Sequence, residues 1–188
     1  MQKIEFAKAM VAVLVVLALW SVFIAIGYLV TVGFQVPEKL ELPLAARFIG
    51  LLAILSGLSL FVWLIRYRRP VEVLVSSFAT FTKLVKRIPV EERLGRSEPL
   101  VVKGPYRYVR HPLYAGVLLL ASGLWLILDN TPLLFTTLLF LLWFNFVVTP
   151  FEEKELIAMF GTDYERYRIQ VPKMIPLPKR IARSKHST

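Results

Sequence analysis

Between Lys8 and Glu38 the chain runs for 29 residues without a charged side chain. A helix crosses the hydrocarbon layer of a bilayer in about 20 residues. Backbone placed in lipid must satisfy its own hydrogen bonds, which a helix does within one segment. Three more uncharged runs follow: Phe48 to Ile65 (18 residues), His111 to Leu128 (18) and Asn130 to Phe151 (22). Each is near spanning length, and Arg47 beside the second can reach the interface along its aliphatic stem. A mean hydropathy of +0.61 lies well above the usual soluble balance. The expected fold is therefore all-α, a polytopic membrane helix bundle with about four spans. Lys3 and Lys8 precede an apolar core, as in a cleavable signal peptide, but the run is too long and no Ala-x-Ala-like site closes it.

With four spans, 21 of the 23 Lys and Arg residues fall on one side. The positive-inside rule makes that side the cytoplasm and places both termini there. Topology and anionic headgroups thus account for the net charge of +10 without a nucleic-acid partner. Cysteine is absent and only His111 and His186 are present, so disulfides, a nucleophilic thiolate and a structural zinc site are excluded.

Pro37 and Pro43 discourage helix between the first two spans. After Arg66, Arg68, Arg69 and Pro70, the residues Leu74, Phe78, Phe81, Val85 and Ile88 recur at helical spacing opposite Glu72, Ser76, Thr80, Lys83 and Arg87. That pattern predicts an amphipathic helix lying on the cytoplasmic surface, or a short buried one. Pro89 to Arg110 reads as a polar loop broken by Gly95, Pro99, Gly104 and Pro105. Asp129, Asn130 and Pro132 predict a tight turn that makes the last two spans an antiparallel hairpin. A C-terminal cytoplasmic helical segment interrupted at Gly161 follows. The chain divides into N-terminal membrane helices with the interfacial helix (1–99), a region holding the last two spans and the chemistry (100–176), and a basic tail (177–188).

Two polar clusters stand out. Gly104 to Gly116 crowds Tyr106, Arg107, Tyr108, Arg110, His111 and Tyr114 against the start of the third span. Pro112 suits a first helical turn, whose amides and dipole favour an anion such as a carboxylate. An interfacial belt of Tyr and Arg is the ordinary alternative. At the cytoplasmic end of the fourth span stand Glu152 and Glu153, adjacent carboxylates that call for a cationic partner. An ammonium or sulfonium ligand would supply it. Asn145, Thr149, Glu152 and Glu153 share one face if the helix continues through Pro150, making a polar stripe that could bind substrate or join helices.

These residues carry a resemblance. Gly104-x-Tyr106-x-x-x-Arg110-His111-Pro112-x-Tyr114-x-Gly116 is followed by Glu152-Glu153-x-x-Leu156-x-x-x-Phe160-Gly161-x-x-Tyr164-x-x-Tyr167 and Val171-Pro172. Together they resemble the isoprenylcysteine carboxyl methyltransferase family, part of a wider group of membrane methyltransferases that includes phospholipid methyltransferases. The match covers Leu100 to Pro176. The resemblance implies an S-adenosylmethionine site at the cytoplasmic end of the last two spans, covered by the C-terminal segment and open sideways to lipid. The implied cofactor contacts are Leu100, Val101, Tyr106, Arg110, His111, Tyr114 and Glu152, with Glu153 beside them, and Asn145 and Thr149 stand on the acceptor side. It also implies a lipid or lipidated small-molecule substrate. Enzymes acting on prenylated cysteine carry an arginine four residues before the first glutamate; Val148 stands here, so the acceptor is open among a carboxylate, an amine and a thiol. A nicotinamide-dependent membrane reductase of the sterol-reductase type and a non-catalytic membrane binding protein are the competing readings.

Overall fold

Prolines and short polar side chains set where the helices begin and end. The computed structural model describes residues 2–67, 82–83 and 100–176. Helix α1 (Gln2–Gly33) closes with Gln35 N–H donating to Val32 O at 3.1 Å and Val36 N–H to Thr31 O at 2.9 Å. Gln35 holds a φ of 52°, the left-handed position of such a cap that glycine usually fills. Helix α2 (Leu44–Ile65) starts directly after Pro43, which is extended at φ −64° and ψ 157°. Helix α3 (Pro112–Leu128) has its proline in the first turn, where no helical N–H is missed, and ends at Asp129 with φ 51°. One residue later Asn130 caps α4 (Thr131–Trp143), its Oδ1 accepting from Leu133 N at 3.1 Å. The predicted hairpin turn is formed by the residues that predicted it.

The fourth span does not break at Pro150. A π-helical turn at Phe144–Val148 carries α4 into α5 (Thr149–Phe160). Thr149 donates both its N–H and its Oγ1 to Phe144 O, the latter at 2.7 Å. The wider turn accommodates a proline ring that would crowd an ordinary helix and adds one residue to the phase of everything beyond it. Gly161, at φ 53° and ψ −129°, then turns the chain into α6 (Thr162–Gln170), the interruption expected there.

Helix α1 packs antiparallel on α4, and α2 on α3. Phe140 meets both Trp20 and Phe23 with ring centroids at 4.9 Å. The α2–α3 pair comes closer because glycines face each other: a Cβ on Gly123 would sit 2.6 Å from Gly50 O, and one on Gly57 would lie 3.1 Å from Gly116 O. Lipid is as apolar as leucine, so such close backbone approach, not hydrophobic burial, holds helices together in a bilayer. At one end of the bundle buried Asp129 accepts from Leu40 N at 3.1 Å and Leu42 N at 3.0 Å, tying the α1–α2 connection to the hairpin.

Three stretches are long and apolar enough to cross a membrane: Val13–Gly33, Leu44–Ile65 and Thr131–Phe160. Helix α3 is apolar but has 17 residues, about 26 Å at 1.5 Å per residue, a little short of a full hydrocarbon core. Leu14, Leu17, Leu29, Phe48 and Leu52 are exposed on α1 and α2 and present an apolar surface to lipid. The protein is an integral membrane helix bundle. The predicted amphipathic helix, apart from residues 82–83, the loop before Leu100 and the basic tail 177–188 lie outside the described residues.

Candidate functional site

The residues entering α3 and the start of α5 meet at one end of α3, opposite the Asp129 clamp at its other end. There the two polar clusters meet. His111, the residue before α3, has its Nδ1 at 3.3 Å from Glu152 Oε2 and its Nε2 at 3.2 Å from Glu153 Oε1. Arg110 donates Nη2 to Glu153 Oε1 at 2.8 Å and Nε to the same oxygen at 3.2 Å. Tyr114, one turn into α3, donates its hydroxyl to Glu152 Oε1 at 2.7 Å. Its ring lies between the His111 imidazole and Phe144, near-parallel to both, at 5.8 and 4.6 Å.

The C-terminal segment seals this cluster. Arg110 N–H donates to Pro172 O and His111 N–H to Lys173 O, each at 2.9 Å, so Val171–Pro176 runs as a strap beside the entry to α3. Arg110 Nη1 donates to Val171 O at 2.7 Å and also to Arg168 O. Val171 and Met174 are buried in the strap. Upstream, the short turn Gly104–Arg107 is held from both sides. Tyr167 donates its hydroxyl to Tyr106 O at 2.6 Å. The Tyr67 ring occupies the space where a Cβ on Gly104 would be, as near as 2.5 Å, and Gly104 is at φ 62°, so glycine is required there twice over.

Burial divides the two acids. Glu153 and His111 are 8% and 5% exposed, whereas the Glu152 side chain keeps 20%. Burial alone would push the His111 imidazole down, but hydrogen bonds and charge from Glu152 and Glu153 outweigh it and raise its pKa above the ordinary 6.5. Both ring nitrogens facing carboxylates is the geometry of a charged imidazolium, which donates from both. Tyr164, on α6, is 1% exposed, and its hydroxyl has no hydrogen-bond partner among the described residues. Burial first, then the negative charge of Glu153, push its pKa up, so it stays a protonated donor.

Of the residues singled out from sequence, Arg110, His111, Tyr114, Glu152 and Glu153 converge within hydrogen-bond distance. Tyr106 is joined to the region through its carbonyl. Leu100 and Val101 are half-buried in the extended stretch entering the turn, and no hydrogen bond ties them to the cluster among the described residues. Asn145 and Thr149 are drawn elsewhere. Lys173 Nζ donates to Asn145 Oδ1 at 3.1 Å and to its carbonyl at 3.2 Å, and the fully buried Thr149 hydroxyl stitches the π turn. The continuous polar face is interrupted because the π turn shifts the phase between Asn145 and Glu152.

Three features escaped the sequence reading. Tyr164 and Tyr167 stood in the family-like block without a role, and no periodicity told which would be buried. Lys173, in a proline-flanked tail, gave no signal of reaching back to α4. Glu155, 2% exposed and ion-paired with Lys83, sits two residues past the acid pair; a third acid so near a span end was the available hint.

Comparison with known proteins agrees with this architecture. The phospholipid methyltransferase family model matches residues 45–163, from the start of α2 into α6 and so well upstream of the two motif blocks. Over 90 residues, 47% of this chain and 37% of the relative, the protein is 39% identical to a protein-S-isoprenylcysteine O-methyltransferase of Schizosaccharomyces pombe. It is 42% identical over 82 residues, 42% of this chain and 30% of the other, to a methanethiol S-methyltransferase of Crocosphaera subtropica. Protein-S-isoprenylcysteine O-methyltransferase B of Arabidopsis thaliana shares 33% over 104 residues, 55% of this chain and 50% of that one. The aligned stretches thus span about a third to a half of these relatives. No solved structure matches the chain. With more than half of its length matched by the family model, and with the motif resemblance and the named relatives in agreement, the chain belongs to the phospholipid methyltransferase family, the group of membrane methyltransferases that includes the isoprenylcysteine carboxyl methyltransferases.

Proposed function

We propose that this protein transfers a methyl group from S-adenosylmethionine to a lipid-borne or membrane-partitioned acceptor at the Arg110–His111–Glu152–Glu153 cluster, on the cytoplasmic face of the membrane. The observation that carries the reading is the meeting of His111 with Glu152 at 3.3 Å, at the same level as the ends of two spans. The donor set fits a zwitterionic sulfonium nucleotide. Glu152, the more exposed acid, keeps acceptor capacity for an ammonium beside its bonds to Tyr114 and His111. Arg110, His111 and the dipole of α3 favour a carboxylate. The Tyr164 hydroxyl, without a hydrogen-bond partner among the described residues, leaves one donor for a ligand.

When bound, the sulfonium supplies an already activated methyl group. The residues therefore need only position the two reactants and exclude water, and no base within the cluster has to form a covalent intermediate. Glu153, held by Arg110 and His111, fixes the imidazole in place; Tyr114 holds Glu152. The strap covers the side facing the cytoplasm and leaves lipid as the acceptor's route.

The acceptor is a carboxylate, amine or thiol. Two observations favour a thiol as second reading over the carboxylate of a prenylated cysteine: Val148 stands where the resemblance calls for arginine, and a methanethiol S-methyltransferase is among the relatives. The test is incubation of the purified protein in membranes with isotopically labelled S-adenosylmethionine, a lipid extract and small thiols, followed by mass spectrometry. Label in a lipid or thiol product supports the function; no labelled product, with S-adenosylmethionine left intact, overturns it.

A further inference from the structure

Tyr164 is fully enclosed, yet its hydroxyl bonds to nothing among the described residues. A buried hydroxyl left unpaired is costly, and a phenylalanine in the same space would avoid the cost. The surroundings of the hydroxyl are those of the candidate site. Arg168, one turn further along the same face of α6, offers its carbonyl to Arg110, and the charges of Glu153, Arg110 and Glu152 all act on the Tyr164 hydroxyl. Its neighbour Tyr167, with ring centroid at 5.9 Å, spends its own hydroxyl on Tyr106 O. One tyrosine of the pair therefore closes the fold and the other is left with a hydrogen to give.

We infer that the Tyr164 hydroxyl is a binding group for the methyl donor, donating to the carboxylate of its amino-acid end beside Arg110. This rests on the methyl-donor reading above and adds to it a residue that the motif resemblance left without a role. A carboxylate is the acceptor that suits the place: Glu152, the more exposed acid, suits the positive end of a zwitterion, and Arg110 with a neutral phenol suits the negative end. The phenol adds no charge, so it discriminates for an acceptor without disturbing the balance of the Arg110–His111–Glu152–Glu153 cluster.

The test uses the detergent-solubilised full chain with S-adenosylhomocysteine as probe, read by calorimetry and by thermal unfolding. Tyr164→Phe should leave the melting temperature of the ligand-free protein unchanged or raised, because no bond is lost, and should raise the Kd for S-adenosylhomocysteine about tenfold. The decarboxylated analogue, which keeps the ammonium, should bind both proteins equally. Tyr167→Phe is the contrasting variant and should lower the melting temperature of the ligand-free protein. If Tyr164→Phe binds S-adenosylhomocysteine as the wild type does, the inference is wrong while the methyl-donor reading survives. A lower melting temperature in the ligand-free state with unchanged affinity makes Tyr164 a structural residue, and a loss that persists with the decarboxylated analogue removes the carboxylate assignment. Failure of the wild type to bind S-adenosylhomocysteine overturns both readings.

Discussion

Glu153 accepts from Arg110 and His111 while Glu152, one residue earlier, keeps part of its carboxylate exposed. Adjacent positions on a helix point about 100° apart, so the two acids meet different surroundings. Their substitutions should separate accordingly. Glu153→Gln leaves Arg110 and His111 without their anion and should cost about 3 kcal/mol of stability, read as a lower melting temperature in detergent. Glu152→Gln keeps an oxygen for Tyr114 and leaves the Arg110–Glu153 pair intact, so it should lower that temperature less than Glu153→Gln does and weaken S-adenosylhomocysteine binding tenfold or more, with exposed Lys154→Ala as the neutral control. Equal losses of affinity for all three would remove Glu152 from the site. The raised pKa of His111 sets a pH dependence. Its stabilising contribution is complete below the unfolded value of about 6.5 and is lost as pH rises through the folded value. The melting temperature of the wild type should fall as pH is raised through that range. His111→Gln, which carries no titrating charge, should show a shallower fall; identical slopes would mean that His111 is neutral in the fold.

At the level of elements, α2 and α3 hold each other through glycines and α4 reaches α5 through a π turn. Gly123→Ala places a methyl 2.6 Å from Gly50 O and the Ile54 side chain, and backbone cannot yield as a side-chain tip can. The pair must separate, at a cost of about 1–3 kcal/mol. A lower melting temperature is expected for Gly123→Ala, and little change for Gly33→Ala, where a Cβ would meet nothing within 4 Å. The π turn has a geometric consequence for the candidate site: without its extra residue, Glu152 and Glu153 would rotate away from His111 by about 100°.

For the whole molecule, one end of the bundle carries the Asp129 clamp and the other carries the candidate site, and from the Lys and Arg distribution we propose that these ends face outside and cytoplasm. The chain has no cysteine, so a single introduced thiol reports its own side without background. Glu38→Cys should react with a membrane-impermeant maleimide on intact cells, and Lys154→Cys only after permeabilisation. The reverse pattern would invert the orientation and place the site outside.

The sequence by itself determined the membrane class, the hairpin at Asp129–Asn130 and the break at Gly161, whereas the grouping of Arg110, His111, Tyr114, Glu152 and Glu153 was implied by the motif resemblance. The first three follow from local causes: uncharged length, proline and glycine dihedrals, caps, and charge that lipid does not tolerate. Only the tertiary structure decided how the group is shared out. The π turn drew Thr149 into its own helix, the strap drew Asn145 to Lys173, and α6 enclosed Tyr164 with its hydroxyl unpaired among the described residues. Each of these depends on contacts between segments distant in the chain or on one added residue in a helical turn, and neither leaves a period or a composition to be read in advance.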